Sequence, residues 1–277
     1  MSSFTGKTIL ITGGASGIGK IMGRMVLDRG AAHLVIWDLD KDALDRTAEE
    51  LSSQGRVSSF KVDVSSLKDI QSAAAEMEKR HLQVDVLVNN AGVVVGTEFW
   101  NHSPEDIQWT MKVNTLAPMH ITQCFLPQMM EKKGGHIVNI SSAAGMVANP
   151  RMSVYVASKW ALLGWSESLR IELEKMHPEV KVTAVTPSYI STGMFSGVKT
   201  HWISPIVTPE KAALKIIRGV EKNRMVVRMP WSVYLIPFMK GVLPLRWFDA
   251  IAGKWLKVYK SMDTFKGRKP QNNNTKK

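Results

Sequence analysis

The chain has 277 residues, of which 44% are hydrophobic and 22% are charged, as expected of a globular protein with one large α/β domain or two smaller ones. Its single cysteine, Cys124, excludes an intrachain disulfide and fits a reducing compartment such as the cytoplasm. No run of about 20 apolar residues is present, so we expect no membrane span. The first apolar run, residues 8–11, is too short for a signal peptide.

The formal net charge of +12 is unevenly distributed along the chain. Residues 240–277 contain ten lysines or arginines and two aspartates, a net charge of +8, which leaves +4 for the preceding 239 residues. The basic character therefore belongs mainly to the C-terminal segment. We expect no nucleic-acid partner.

Short β-rich runs alternate with helical patterns over the first two thirds of the chain. Continuous apolar runs indicate strands that are covered on both faces, and strands alternating with helices indicate βαβ units and a parallel sheet. The predicted strands are residues 8–11, 33–37, 57–62, 84–88, 135–140, 180–185 and 223–230. The predicted helices are residues 20–29, 42–54, 67–81, 104–130 and 153–176.

A glycine-rich run at residues 12–19 lies between the first predicted strand and the first predicted helix. Gly13, Gly17 and Gly19 allow a sharp turn and a close approach of the backbone to a pyrophosphate. The N-terminus of the following helix offers free N–H groups to that anion. A glycine-rich turn without a ligand is the alternative, but the strand–loop–helix context favours a dinucleotide-binding loop.

Asp38 ends the second predicted strand, nineteen residues after Gly19. A carboxylate at this place can accept hydrogen bonds from both ribose hydroxyls of an adenosine, and it would repel a 2′-phosphate. No arginine lies beside it, because Leu39, Asp40 and Lys41 follow. The sequence therefore favours NAD over NADP, the alternative being a solvated acid at a strand end.

Two further motifs follow predicted strands. Asp63 and Val64 come after the third strand, and Asn-Asn-Ala-Gly at residues 89–92 ends the fourth. Both fall at the carboxyl edge of a parallel sheet, where such folds bind ligands. Asn-Asn-Ala-Gly by itself is also a plausible turn.

Tyr155 and Lys159 are four residues apart on a predicted helix, so they share one face. A cation beside a phenol lowers the pKa of the phenol from about 10, which makes Tyr155 usable as an acid or base near neutral pH. The spacing alone often arises by chance. Its weight comes from Ser141 and Ser142, which follow the preceding strand, and from Asn114 in the long helix before it.

Together, the glycine motif, the Asn-Asn-Ala-Gly motif, Asn114, Ser142 and the Tyr155–Lys159 pair resemble the short-chain dehydrogenases/reductases over residues 7–192. This resemblance implies an α/β fold with a doubly wound, seven-stranded parallel sheet of the Rossmann type. It implies Tyr155 as the catalytic acid/base, with Lys159 as its activator and a ligand of the nicotinamide ribose. It also implies that Ser142 holds the substrate oxygen and that Asn114 anchors a proton-relaying water.

The resemblance continues in the loop after the sixth strand, where Thr192 is implied to contact the nicotinamide carboxamide. One departure is visible, since this chain has Pro187-Ser188 where the family usually has Pro-Gly. No metal ligand set is expected. The cofactor-binding residues implied by the motifs are Gly13, Ser16, Gly17, Ile18, Gly19, Asp38, Asp63, Val64, Asn90, Ala91, Gly92, Tyr155, Lys159, Pro187, Ile190 and Thr192.

The residues that the resemblance places around the substrate are apolar, and no Arg or Lys occurs in these runs to bind a carboxylate or phosphate. They are Val93, Val94, Val95, Ala143, Met146, Val147, Tyr189, Met194 and Phe195. We expect a hydrophobic alcohol, ketone or aldehyde of the retinoid, steroid or long-chain type, and a role in lipid metabolism. Simple core packing of these side chains is the alternative. The C-terminal part resembles the branch that contains retinol and 17β-hydroxysteroid dehydrogenases.

The chain is expected to divide into a dinucleotide-binding catalytic domain at residues 1–228, an apolar and basic helical extension at 229–265 and a disordered polar tail at 266–277. Aromatic residues interleaved with cations over 231–260 suit a helix that lies on a membrane or lipid surface. Packing of this segment on the domain or on a neighbouring subunit is the alternative.

Large apolar helices at 104–130 and 153–176, which form a two-fold interface in the family, predict a homodimer or homotetramer. The function expected overall is an NAD-dependent oxidoreductase in the cytoplasm, with peripheral membrane contact. A non-catalytic dinucleotide-binding sensor or scaffold on the same fold is the alternative.

Overall fold

The computed structural model describes residues 2–267. Within them, seven parallel strands form one sheet in the order β3-β2-β1-β4-β5-β6-β7. The strand order reverses between β1 and β4, which is the point where doubly wound sheets bind their ligands. The predicted Rossmann-like fold is confirmed. The strands are β1 (Thr8–Thr12), β2 (His33–Asp38), β3 (Val57–Lys61), β4 (Val86–Asn89), β5 (Gly135–Ile140), β6 (Val180–Pro187) and β7 (Val226–Met229).

Helices cover both faces of this sheet. The predicted helix at 104–130 is present as a continuous helical run, but a π turn at Lys112–Leu116 divides it into α4 and α5. The helices are α1 (Gly17–Leu27), α2 (Lys41–Ser52), α3 (Leu67–Lys79), α4 (Pro104–Met111), α5 (Ala117–Glu131), α6 (Ser153–Met176) and α7 (Pro209–Glu221).

The prediction missed α7, although its N-terminus has a recognisable start signal. The Thr208 side chain accepts a hydrogen bond from the Lys211 amide, and Pro209 occupies the first turn, where its missing N–H is not needed.

The core consists of two apolar layers, one on each face of the sheet. Along β1, Ile9 and Ile11 pack against α1, α2 and α7, whereas Leu10 faces α3, α5 and α6. Successive side chains of a strand point to opposite faces, so a fully covered strand is apolar at every position. The continuous apolar runs of the sequence are explained in this way.

Short helical elements follow β7 and pack beside the carboxyl end of the sheet. They include the 3₁₀ turn Trp231–Leu235, α8 (Ile236–Val242), α9 (Leu245–Asp249) and the π turn Ala250–Trp255. The predicted tail at 266–277 lies, from residue 268 onward, outside the described residues. Among residues 2–267, no helix has both the length and the hydropathy needed to cross a bilayer.

Candidate active site

The glycine loop joins β1 to α1 in a conformation that needs glycine. Gly13 and Gly17 have φ angles of +62° and +55°, in the left-handed region where a side chain is strained. A Cβ atom on Gly19 would lie 2.2 Å from the Gly13 carbonyl oxygen. The loop is therefore tight where it turns, and it brings the N-terminus of α1 to the carboxyl edge of the sheet.

The Asn-Asn-Ala-Gly motif at 89–92 is fastened to this loop. The Thr12 hydroxyl accepts hydrogen bonds from the amides of Asn90 and Ala91, both at 3.0 Å. Asn90 Nδ2 donates to the carbonyl oxygens of Thr12 and Gly13 at 2.9 and 3.1 Å. Asn89 instead points into the core, where it donates to Asn139 Oδ1 at 2.8 Å. The motif thus holds two strand ends together and leaves Gly92 at the cleft.

Asp38 lies at the edge of the same loop, and its carboxylate helps to shape it. Oδ2 accepts a hydrogen bond from the Ala15 amide at 3.0 Å, and Oδ1 accepts from the amides of Leu39 and Asp40 at 2.8 and 3.3 Å. A carboxylate has about four acceptor positions, so about one remains for a ribose hydroxyl. Any substitution here must keep the contact with Ala15 if only the charge is to be tested.

Ser142, Tyr155 and Lys159 converge from the end of β5 and from the first turns of α6. The Ser142 hydroxyl donates to the Pro187 carbonyl oxygen at 3.4 Å and accepts from the Ala144 amide at 3.1 Å. The Tyr155 side chain interacts with Ser142, and this interaction lowers the pKa of the phenol. Lys159 Nζ donates to the Ile140 carbonyl oxygen at 3.0 Å and lies 5.8 Å from the centroid of the Tyr155 ring.

Burial controls the ionisation of both groups. Tyr155 and Lys159 are each 4% exposed. Burial raises the pKa of the Tyr155 phenol above its ordinary value, although the interaction with Ser142 opposes this change. Burial also lowers the pKa of Lys159 from 10.5 to about 8. The sequence-based expectation of a lowered pKa at Tyr155 is therefore wrong, because desolvation by burial has the largest influence on the phenol.

Asn114 sits in the π turn between α4 and α5, and its side chain clamps the strand end beside the cleft. Oδ1 accepts from the Val93 amide at 2.9 Å, while Nδ2 donates to the Val93 carbonyl oxygen at 2.9 Å and to the Ser158 hydroxyl at 3.0 Å. A Cβ atom on Gly92 would lie 3.4 Å from Asn114 Oδ1 and 3.5 Å from Lys159 Nζ. Asn114 and Lys159 therefore meet beside Gly92.

Nearly all of the predicted cofactor residues line one cleft of about 290 Å³, and Tyr155, Lys159 and Ser142 line it too. Gly19 does not line the cleft, since it packs against the loop from inside. Asn114 also lies behind the cleft surface. The prediction missed five further residues that border the cleft: Leu39, Val62, Trp109, Val113 and Ile140. Leu39 could have been found, because it directly follows Asp38 at the strand end.

A second, largely apolar cavity of about 170 Å³ adjoins the cleft, and Ser142, Ser188 and Phe195 line both. Four residues predicted to surround the substrate line this cavity: Ala143, Val147, Tyr189 and Phe195. Val93 and Met194 line the cofactor cleft instead, and Val94 packs near Tyr155. Val95 and Met146 line neither cavity.

Two features of the second cavity differ from the sequence analysis. The C-terminal extension forms much of its wall, through Ile236, Met239 and Phe248 among others. Lys199 and Lys257 also line it, although the runs predicted to surround the substrate contain no cation.

At position 188, where the family has glycine, the Ser188 amide donates to the Met229 carbonyl oxygen at 2.7 Å. The φ angle of Ser188 does not lie in the left-handed region that favours glycine.

The cleft fits a dinucleotide. A tight glycine loop leads into the N-terminus of α1, which has no acidic residue in its first turn, so the positive end of the helix faces the cleft unopposed. Only Thr192 atoms, at 3.6 Å, come within 4 Å of a Cβ placed on Gly17. Fold and site together define a dinucleotide-binding oxidoreductase with a tyrosine–lysine–serine centre.

Comparison with known proteins agrees with this class. The short chain dehydrogenase family model matches residues 7–201. Mouse epidermal retinol dehydrogenase 2 is 36% identical over 269 residues, covering 95% of this chain and 86% of that protein. Human estradiol 17-beta-dehydrogenase 11 is 32% identical over 269 residues, covering 92% and 89%. A short-chain dehydrogenase/reductase from Burkholderia phymatum, solved in complex with NAD, has a TM-score of 0.77 at 27% identity, covering 90% of this chain and 95% of that one.

The chain belongs to the short-chain dehydrogenase family. The predicted resemblance to the retinol and 17β-hydroxysteroid dehydrogenase branch is confirmed. The protein is a dinucleotide-dependent hydride-transfer enzyme that acts on CH–OH groups, and the alternative of a non-catalytic sensor is not favoured.

Proposed function

We propose that the enzyme uses NAD to interconvert an apolar alcohol and its carbonyl compound, with the apolar body of the substrate in the second cavity. The proposal rests on one observation: Ser142 lines both the cofactor cleft and that cavity, and its side chain interacts with Tyr155 in the cleft. The retinoid and steroid named for the relatives have the same apolar character. Initial rates of NADH formation with retinoids, steroids and long-chain alcohols test it, and absence of turnover with all three classes would contradict it.

In the proposed mechanism, Ser142 and Tyr155 hold the substrate oxygen between their hydroxyl groups. During alcohol oxidation, the phenolate form of Tyr155 accepts the hydroxyl proton as the C–H hydride leaves, and in carbonyl reduction Tyr155 returns that proton. When bound, the cofactor accepts or donates the hydride at its nicotinamide ring. Lys159 stabilises the phenolate by its charge, and Asn114 holds the backbone of Val93 in place.

The carboxylate of Asp38 is proposed to select NAD, which Asp38→Asn tests while the contact with Ala15 is kept. Asparagine retains one oxygen, which can accept from the Ala15 amide. It loses the second acceptor, which the amides of Leu39 and Asp40 use, and it lacks the charge that repels a 2′-phosphate. The kcat/KM ratio for NAD over NADP is expected to fall at least about tenfold, in line with loss of a charged hydrogen bond. Steady-state kinetics with both cofactors measures it. A wild-type preference for NADP would refute the role of Asp38.

A homodimer or homotetramer is proposed from the exposed apolar side chains of α6. Trp160 and Ile171 are exposed there, and such faces are commonly covered in an assembly. Two other tryptophans of the helices at 104–130 and 153–176 have different contacts, since Trp165 packs against the core and Trp109 borders the cofactor cleft. Sedimentation velocity at micromolar concentration should give a dimer or tetramer, and a monomer would refute the proposal.

We also propose that residues 229–265 extend the catalytic domain and rest on an anionic membrane. Their inner face packs against Val147 through Phe248 and Ala252. Their outer face exposes large aromatic side chains, four of them by 60% or more, and cations lie among or just beyond these four. The aromatic residues are Trp231, Phe238, Trp247 and Trp255, and the cations are Lys240, Arg246, Lys254, Lys257 and Lys260. This pattern suits the headgroup layer, and an apolar substrate could enter the adjoining cavity from the lipid.

Flotation with phosphatidylcholine vesicles, with and without phosphatidylserine, measures this contact. The wild type is expected to float with the anionic vesicles, whereas a variant with the four most exposed aromatic residues changed to glutamine should remain in the soluble fraction. A matched double variant, Met176→Gln with Met225→Gln, alters exposed apolar side chains outside the extension and should float. If the wild type floats with neither vesicle, the extension is a packing or subunit-contact element.

A further inference from the structure

A buried polar cluster lies in the wall of the apolar cavity, apart from Ser142, Tyr155 and Lys159. Asn149, Tyr189 and Ser261 form it, and they come from three separate segments of the chain. Asn149 Nδ2 donates to Tyr189 Oη at 2.9 Å and to Ser261 Oγ at 3.0 Å. Tyr189 Oη and Ser261 Oγ lie 2.8 Å apart.

Counting donors shows what this cluster can still bind. The Ser261 hydroxyl donates to the Val258 carbonyl oxygen at 2.6 Å, so the hydroxyl of Tyr189 supplies the proton between those two residues. Both N–H groups of Asn149 point to hydroxyl oxygens. The remaining capacity is therefore that of an acceptor: the Asn149 Oδ1 atom and one lone pair of Tyr189 Oη.

Within this cluster, the unpaired polar atom is the side-chain oxygen of Asn149. It is buried, and it has no hydrogen-bond partner among the residues that the structure describes. Leaving a buried acceptor unpaired has a free-energy cost that folding normally avoids. A hydrogen-bond network that served only to hold Ser261 against the domain would not need this unpaired acceptor. Isolated polar groups in the wall of a largely apolar cavity are typical of sites that orient a ligand.

The cluster is separated from the catalytic phenol by one aromatic ring. The centroid of Phe195 lies 6.0 Å from that of Tyr155 and 5.1 Å from that of Tyr189, and both contacts are edge-on. Phe195 lines both the cofactor cleft and the apolar cavity. A substrate that reacts at Tyr155 and extends past Phe195 into the cavity can therefore present a second polar group to Asn149 and Tyr189.

We propose that Asn149 and Tyr189 form a second polar subsite, which accepts a hydrogen bond from a hydroxyl group of the substrate remote from the reacting carbon. This inference rests on the proposed function and narrows its substrate class to apolar molecules with a second oxygen, of the diol or hydroxy-ketone type. Ser261 is a positioning residue, because its hydroxyl fixes the direction of the Tyr189 proton. A second oxygen without a proton, as in an ether, gains no hydrogen bond here.

The test compares three androstane steroids that share a 17β-hydroxyl as the reacting group. One has no oxygen at carbon 3, one has a 3β-hydroxyl and one has a 3β-methoxy group. The kcat/KM for NAD-dependent oxidation should be roughly tenfold higher for the 3β-hydroxyl compound than for the other two, as one additional hydrogen bond allows. The same order is expected for 1,10-decanediol against 1-decanol and 10-methoxy-1-decanol.

Tyr189→Phe removes one of the two acceptors and keeps the ring, so the hydroxyl preference should fall. A merely structural role would lower the rates for all three steroids together and leave their ratio unchanged. Tyr234→Phe, a tyrosine of the extension that lines neither cavity, serves as the matched control and should keep the ratio. Equal rates for the three steroids in the wild type, or a preference for the ether, would overturn the subsite.

Calorimetric binding of the same three steroids to the protein with NADH separates this inference from the proposed function. Absence of turnover contradicts the proposed activity. The subsite is then judged by binding alone, where the 3β-hydroxyl compound should bind about tenfold more tightly. Equal binding of all three steroids, or an unchanged binding preference in Tyr189→Phe, overturns it.

Discussion

Replacing Tyr155 by phenylalanine is expected to lower kcat for apolar alcohols by at least about a hundredfold, the lower end of the usual contribution of general acid–base catalysis. The variant retains the buried ring and loses only the hydroxyl that meets Ser142. Steady-state kinetics with the best substrate of the screen gives the effect, and fluorescence titration with NADH gives the affinity for the cofactor, which should change little.

The two measurements together isolate the proton-transferring role. A loss of NADH affinity equal to the loss of kcat would show that the substitution damages the cleft and not the chemistry. Near-normal turnover with intact NADH binding would show that another group moves the proton, and the proposed mechanism would be wrong.

Much of the fold follows from local patterns because a doubly wound sheet covers each strand on both faces. The run from Thr8 to Thr12 is apolar at every inner position, and its residues divide between the two layers of the core. The predicted start of the fourth strand was less accurate. Val84 is buried, but Asp85 pairs with Thr8 and His136 before the regular ladder begins at Val86. At the end of a strand, a residue can be buried without being paired in the sheet. A hydrophobic pattern in the sequence indicates burial only, so it does not show where pairing begins.

The π turn that holds Asn114 could not be predicted, because it inserts one residue into a helix whose apolar pattern continues on both sides. The residues grouped at the carboxyl edge were predictable, since each follows a strand or begins a helix. The second cavity could not be predicted from the sequence. Its wall depends on contacts between the extension and residues about a hundred positions earlier, such as Phe248 with Val147, and no local pattern specifies those contacts.

The ionisation of the site depends on burial, which a residue pair in a sequence does not reveal. Four-residue spacing correctly places Lys159 near Tyr155, but both groups are almost fully desolvated. Desolvation disfavours the charged form of each. The buried environment therefore favours the neutral form of both the lysine and the phenol. Keeping Lys159 charged near neutral pH lowers the free energy of unfolding.

Lys159→Met is expected to lower kcat at least about a hundredfold and, unusually for a buried substitution, to relieve a pH-dependent loss of stability. The pKa of Lys159 falls from 10.5 to about 8 in the folded protein. Between these values the unfolded chain binds more protons than the folded chain, so this group makes the free energy of unfolding rise with pH. Below pH 8 the wild type bears the full penalty, roughly 3 kcal/mol at about 1.4 kcal/mol per pKa unit. Methionine bears none at any pH.

The difference in unfolding free energy, variant minus wild type, should therefore be about 2 kcal/mol larger at pH 7 than at pH 10. Comparing two pH values cancels the lost hydrogen bond to Ile140, since that loss is present at both. Denaturant unfolding at each pH measures the difference, and Lys175→Met, at an exposed position near the other end of α6, provides the control and should show no such dependence. A difference that stays constant between pH 7 and pH 10 would mean that Lys159 keeps its ordinary pKa when folded. Lys159 would then stabilise the Tyr155 phenolate without the desolvation that we infer for the site.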